Sequence, residues 1–133
     1  MKQLVLLVVT MLFSLSVLAA DESREKPTHH LQIADVNSME EAKEIFIDKT
    51  AEIRKKKKLN LEEASQIHII TYTLEKSVAY FAENLSGEKQ EIAKQLAVVV
   101  EDIHIASESN RLEKLKIHLN EYFDLVDKFI FCF

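Results

Sequence analysis

The chain has 133 residues with 17 basic and 22 acidic side chains, a formal net charge of −5, and just one glycine, one proline and one cysteine. So few turn-forming residues argue against sheets joined by tight turns. The acidic balance argues against duplex nucleic acid as a partner, because such affinity rests on basic residues neutralising phosphates.

The N-terminus reads as an export signal. Met1-Lys2 precedes an apolar run from Leu4 to Leu18 and the small pair Ala19-Ala20, and the run is shorter than the roughly 20 residues needed to span a bilayer. Residues 1–19 are expected to be cleaved, giving a periplasmic mature chain without a membrane span. Loss of Lys2 takes the formal charge from −5 to −6. The remaining length suits one domain. Residues 20–37, with Pro27 and the pair His29-His30, show no helical period and form an extended lead-in.

Four helices follow, at about 39–57, 61–85, 88–108 and 111–131. Ser38-Met39-Glu40-Glu41 has the capping-box form, with a serine oxygen to accept a backbone N–H and a glutamate three residues on to reach back. Asn60-Leu61-Glu62-Glu63 and Asn110-Arg111-Leu112-Glu113 repeat it with asparagine as cap. The first helix has a weak apolar face, Met39, Ala42, Ile45, Phe46 and Ile53, and ends in Arg54-Lys55-Lys56-Lys57-Lys58. That basic run suits the negative pole of a helix, or else a docking patch for an anionic partner. The second helix carries Leu61, Ala64, Ile67, Thr71, Leu74, Val78 and Leu85 on one face, and Gly87 can take the left-handed conformation after it. Ile92, Leu96, Val99, Ile103 and Ala106 stripe the third, and Leu112, Leu115, Leu119, Tyr122, Val126 and Phe129 the fourth. Short connections make neighbours antiparallel, so the expected fold is all-α, an up-down-up-down four-helix bundle.

Antiparallel register brings polar residues level. A turn at Ser86-Gly87 places His68 beside His104 and Tyr72 opposite Glu101, and a turn at Ser109-Asn110 places His118 level with Glu101. Glu75 and Glu108 lie a turn or two away. Glu101-x-x-His104 puts a carboxylate and an imidazole on one helical face, a spacing that bundle metal sites use. His68, Glu101 and His104 are therefore the candidate metal ligands, with Tyr72, Glu75, Glu108 and His118 as the supporting layer. A two-metal pattern fails, since Ser65 stands where a second Glu-x-x-His would need its carboxylate. The competing reading is a hydrogen-bonded polar layer that fixes helix register. No nucleophile, oxyanion loop or glycine-rich phosphate cradle accompanies these residues, so no enzyme is expected. No cofactor is expected either; a single zinc, copper or iron ion is the alternative.

IHIITYTLE at Ile67–Glu75 and EDIHIASE at Glu101–Glu108, with REKPTH at Arg24–His29 upstream, resemble the motifs of an uncharacterised family of small exported bacterial helical proteins. The resemblance implies a helical fold and export, and no mechanism. The chain departs from it at Glu25, inserted before Lys26-Pro27. More distantly it is similar to the soluble periplasmic b-type cytochrome, whose haem is held by a methionine early in the first helix and a histidine late in the fourth. Met39 matches the first ligand, but the last turns read Asp127-Lys128-Phe129-Ile130 and no Cys-x-x-Cys-His is present.

The expected role is non-enzymatic binding of a protein or small ligand. The off-stripe residues Leu125, Ile130, Phe131 and Phe133 form an apolar C-terminal patch that either contacts a partner or covers the weak face of the first helix. Pairing with a second copy would give a homodimer, with Cys132 as a possible intermolecular disulfide.

Overall fold

The computed structural model describes residues 31–132. The expected export signal, Pro27, His29-His30, most of the expected lead-in and Phe133 lie outside the described residues. Four helices follow one another: α1 (Met39–Arg54), α2 (Leu61–Asn84), α3 (Gly87–Glu108) and α4 (Leu112–Phe131). They form an antiparallel bundle, and among the described residues there is no strand.

The first two helices start on side-chain caps. Ser38 Oγ accepts the Glu41 N–H at 3.1 Å, while Glu41 Oε2 accepts the N–H of Asn37 at 2.9 Å. Asn60 Oδ1 accepts the Glu63 N–H at 2.9 Å. α1 stops at Arg54, three residues before the expected end, because the N–H groups of Lys55 and Lys56 turn in to the carbonyls of Glu52 and Ile53. The basic run is thus mostly loop. Leu59 there has φ +46, and one carboxylate oxygen, Glu63 Oε2, accepts the N–H of both Lys58 and Leu59. Those two bonds hold a left-handed leucine that sterics disfavour. They also hold the Glu63 carboxyl below its ordinary range, the Leu59 N–H contributing most.

Asn110 is not the cap of α4. It has φ +54 and closes α3: its N–H meets Ser107 O at 3.2 Å, and the Arg111 N–H meets Ala106 O at 2.9 Å. That bond pair is the Schellman arrangement, in which asparagine replaces the usual glycine. α4 consequently begins on Arg111 with no side-chain cap. Gly87, with φ +63, opens α3 after the α2 end.

The core is built from Phe81, Phe129, Tyr122, Ile53, Ile67, Leu74, Leu96, Ile103 and Leu115, all less than 2% exposed. Phe46 is its aromatic hinge, with ring centroids 5.6 Å from Phe81, 6.5 Å from Tyr122 and 5.5 Å from Phe129. These edge-on approaches suit the ring quadrupoles. The sides of the bundle are unequal. α2 packs closely on both α1 and α3, and α3 on α4, but no Cα of α1 comes within 8 Å of an α4 Cα. The α1–α4 seam is bridged by side chains alone: Phe46 against Phe129, Thr50 Oγ1 hydrogen-bonded to the Tyr122 hydroxyl at 2.6 Å, and Arg54 Nη2 on Asp127 Oδ1 at 3.0 Å. On the α2 side, the Ser77 hydroxyl donates to Ala42 O at 2.6 Å. Leu125 belongs to the core, 7% exposed, and not to a surface patch; Ile130 and Phe131 are 55% and 92% exposed.

Candidate functional site

The polar layer forms where α2 and α3 cross. His104, in the middle of a run of buried α3 residues, has no exposed surface. Its Nδ1 lies 2.8 Å from Glu75 Oε1 and 3.2 Å from the Thr71 hydroxyl. The approach to Glu75 has ion-pair distance without hydrogen-bond alignment, so attraction is chiefly electrostatic. Thr71 donates to the His68 carbonyl at 2.6 Å, the i−3 back-bond typical of a buried helical threonine, and its oxygen is left to accept from the His104 ring.

Three rings pack edge-on around this point. His68 and His104 have centroids 4.7 Å apart, Tyr72 and His104 4.7 Å, and His68 and Tyr72 5.1 Å. The Tyr72 hydroxyl is 3.3 Å from His68 Nε2, and His68 Nδ1 is buried with no hydrogen-bond partner among the described residues. Burial is the first cause holding the His68 pKa below its ordinary 6.5, the charge on His104 the second; the Glu108 carboxylate, the His104 backbone and the Glu75 carboxylate oppose both. The imidazole of His68 is therefore mainly neutral at pH 7.

Of the seven residues singled out from sequence, His68, Tyr72, Glu75 and His104 meet directly. A carboxylate against His104 comes from Glu75, one helix over. Glu101 and Glu108 are half-buried on α3. Half-buried His118 has its Nδ1 3.9 Å from Glu121 Oε2 on α4. Among the described residues no group of three or more His, Cys, Asp or Glu side chains is placed to hold a metal ion. The apolar stripe of α2 places Thr71 between Ile67 and Leu74, and a polar residue at that core position, one turn from His68, is the sequence signal for its role. Met39 is half-buried and packs on the core. Cys132 is a free thiol, half-buried against the core at the end of α4.

Chemically, this layer orients buried polar groups but leaves some of their atoms without a hydrogen bond: besides His68 Nδ1, Glu75 Oε1 and His104 Nε2 have no hydrogen-bond partner among the described residues. Thr71, His104 and Glu75 give α2 and α3 a polar match that a slipped register would break, because an unmatched buried polar group costs about 1–3 kcal/mol.

Fold and layer together define a helical bundle protein whose two central helices are locked by a buried histidine–carboxylate contact. The chain belongs to DUF6746, described as a family of unknown function, whose model matches residues 1–130. Neither the curated proteins nor the solved structures compared with it contain a match.

Proposed function

We propose that the chain is an exported, non-enzymatic binding protein of the bacterial periplasm that makes its contact along the α1–α4 seam. Export rests on the charged start, apolar run and small-residue pair of its first 20 residues. Among the described residues no helix is long and apolar enough to cross a membrane. A non-enzymatic role is favoured because His104 is wholly enclosed and the groups around it are engaged in packing α2 on α3.

The observation that carries the reading is the unfilled end of the seam. Where the α1 and α4 backbones stand apart, an apolar cavity of about 270 Å³ opens, lined by Phe46, Phe81 and Phe129 with Ile47, Ile130 and Lys43 beside them. Ile47 is 64% exposed, Ile130 55% and the following Phe131 92%. Exposed apolar side chains around an apolar hollow are the pattern of a contact surface. The partner assigned is a second copy, since two-fold pairing across this surface would bury the exposed Ile130 and Phe131 of both protomers, and two-fold dimers are the commonest assemblies. Cys132, facing its own core, is not needed for it.

Sedimentation equilibrium under reducing conditions, from micromolar to millimolar protein, tests the assignment. A dimer that dissociates in an Ile130→Asp/Phe131→Asp variant supports it. A strictly monomeric wild type sinks it.

A further inference from the structure

The opposite end of the same seam holds a second cleft, on residues that the dimer reading does not use. Its volume is about 430 Å³. Four lysines line it: Lys56, Lys57 and Lys58 from the loop after α1, and Lys116 from α4. Leu59, Leu112, Leu119 and Phe123 give it an apolar side, Asn120 adds an amide, and Glu113 is the one acid in the lining. A solvated helix end would explain lysines that radiate into water. It does not explain why lysines from two separate elements line one cleft together with four apolar side chains.

The cations are available. Lys56 hydrogen-bonds Gln66, but Lys57, Lys58 and Lys116 are exposed, and their ammonium groups have no ion-pair partner among the described residues. The local excess of positive charge stands out in a chain of net charge −5. Two further features help. α4 begins in the lining, at Leu112 and Glu113, without a side-chain cap, so the positive pole of the helix lies at the cleft. Arg54 sits 4.5 Å over the face of Phe123 and pairs with Asp127, which fixes the ring on the apolar side.

A lysine-lined cleft of this size with an apolar side matches an anion that carries its own apolar tail. An inorganic anion would leave the apolar side wet, and an uncharged alkane would leave the lysines without a role. We infer that this cleft binds a single-chain anionic amphiphile of fatty-acid type, its carboxylate among Lys57, Lys58 and Lys116 and its chain along Leu59, Leu112, Leu119 and Phe123.

The test uses the whole mature chain, free of tags, titrated with decanoate below its micellar range and followed by calorimetry and by amide chemical shifts. The expected result is saturable one-to-one binding with shifts centred on Leu59, Leu112 and Phe123, weaker as salt rises. Octanoate should bind more weakly than decanoate, by up to about fifteenfold if both lost methylenes were fully buried. A Lys57→Glu/Lys58→Glu/Lys116→Glu variant should lose at least about tenfold in affinity while keeping its helical circular dichroism, since three charge-assisted contacts are reversed at exposed positions. Phe131→Asp, at the far end of the seam, should bind decanoate as the wild type does.

Decanol binding as tightly as decanoate would overturn the inference, as would inorganic phosphate doing so. Shifts centred on Phe46 and Phe129 would overturn it too, while leaving the groove of the dimer reading intact. Lysine-dependent co-sedimentation with phosphatidylglycerol vesicles, without saturable decanoate binding, would assign the lysines to a membrane surface instead.

Discussion

Tyr122 is the sharpest place to test how the seam is held. It is wholly buried, and its hydroxyl meets Thr50 Oγ1 at 2.6 Å, where Thr50 itself is 6% exposed. Tyr122→Phe removes one oxygen, makes no cavity of note, and strands the Thr50 hydroxyl in the core. The lost bond is worth about 1 kcal/mol and the stranded partner up to about 2 more, so we expect a loss of about 1–3 kcal/mol. For about 100 ordered residues that is a fall in Tm of roughly 4–24 °C. Thr50→Val should cost a comparable amount for the mirror reason. The double variant should cost no more than the worse single one, since both polar groups are then gone, giving a coupling of about 1–2 kcal/mol. Urea unfolding followed at 222 nm, with equal slopes across the four proteins, measures the cycle. Simple additivity within about 0.3 kcal/mol would refute the claim that this bond joins α1 to α4. The same pair carries a signature at high pH. Burial pushes the Tyr122 phenol far above its ordinary 10.0, with Thr50 and Arg54 only partly opposing. The unfolded chain ionises this tyrosine from about pH 10 while the folded chain keeps its proton, so folding stability falls as pH rises past that point. Tyr122→Phe should remove that part of the loss.

Other expectations concern the α2–α3 layer and the turns. The His68 pKa is depressed by burial first and by the charge on His104 second. Its contribution to stability is therefore full above the unfolded value of 6.5 and lost as pH falls through the depressed one; ring titration by NMR should give a midpoint below 6.5, and a midpoint above it would contradict the assignment. His104→Ala removes a side chain with no exposed surface and leaves Thr71 and Glu75 facing a hole. It should cost about 2–4 kcal/mol in urea unfolding, and a loss under about 1 would mean that the layer is not a register lock. Gly87 has φ +63 with nothing within 4 Å of where a Cβ would stand, so Gly87→Ala reports backbone strain alone, about 1–2 kcal/mol by thermal unfolding. No measurable loss would mean that the turn relaxes.

Helix number, order and most boundaries were legible because each rests on local chemistry: Ser38 and Asn60 cap where their oxygens can reach an N–H three residues on. Asn110 misled because asparagine serves two ends. It caps a following helix or closes a preceding one, and the carbonyls of Ala106 and Ser107 were closer than any need of α4. The meeting of His68 and His104 followed from antiparallel register, which one residue of error moves by only about 1.5 Å. Rotation about each axis is set by packing against the whole core, and register says nothing of it. For that reason the approach of Glu75 to His104 was not legible from register alone. The basic cleft was half visible: the lysine run was plain, but Lys116 and the apolar residues join it only through the fold.

Why both candidate surfaces lie on one seam follows from α1. It buries only Ala42, Phe46, Thr50 and Ile53, whereas α2 buries nine residues and α3 ten. One of those four is a threonine, so a hydrogen bond stands where another bundle would have an aliphatic contact. A helix with so narrow an apolar face satisfies itself against α2 and leaves α4 at a distance, and the space left over becomes the apolar hollow at one end and the lysine-rimmed cleft at the other. Elements that bury less open at lower free energy. Native-state hydrogen exchange should thus show α1 amides, from Phe46 to Ile53, exchanging through a partial opening that leaves α2 and α3 protected. Occupancy of either surface should raise their protection, because both ligands bridge α1, or the loop that ends it, to α4. If α1 exchanged only with global unfolding, the seam would be as firm as the other sides of the bundle. Its hollows would then be ordinary packing defects, and the case for binding there would have lost its physical cause.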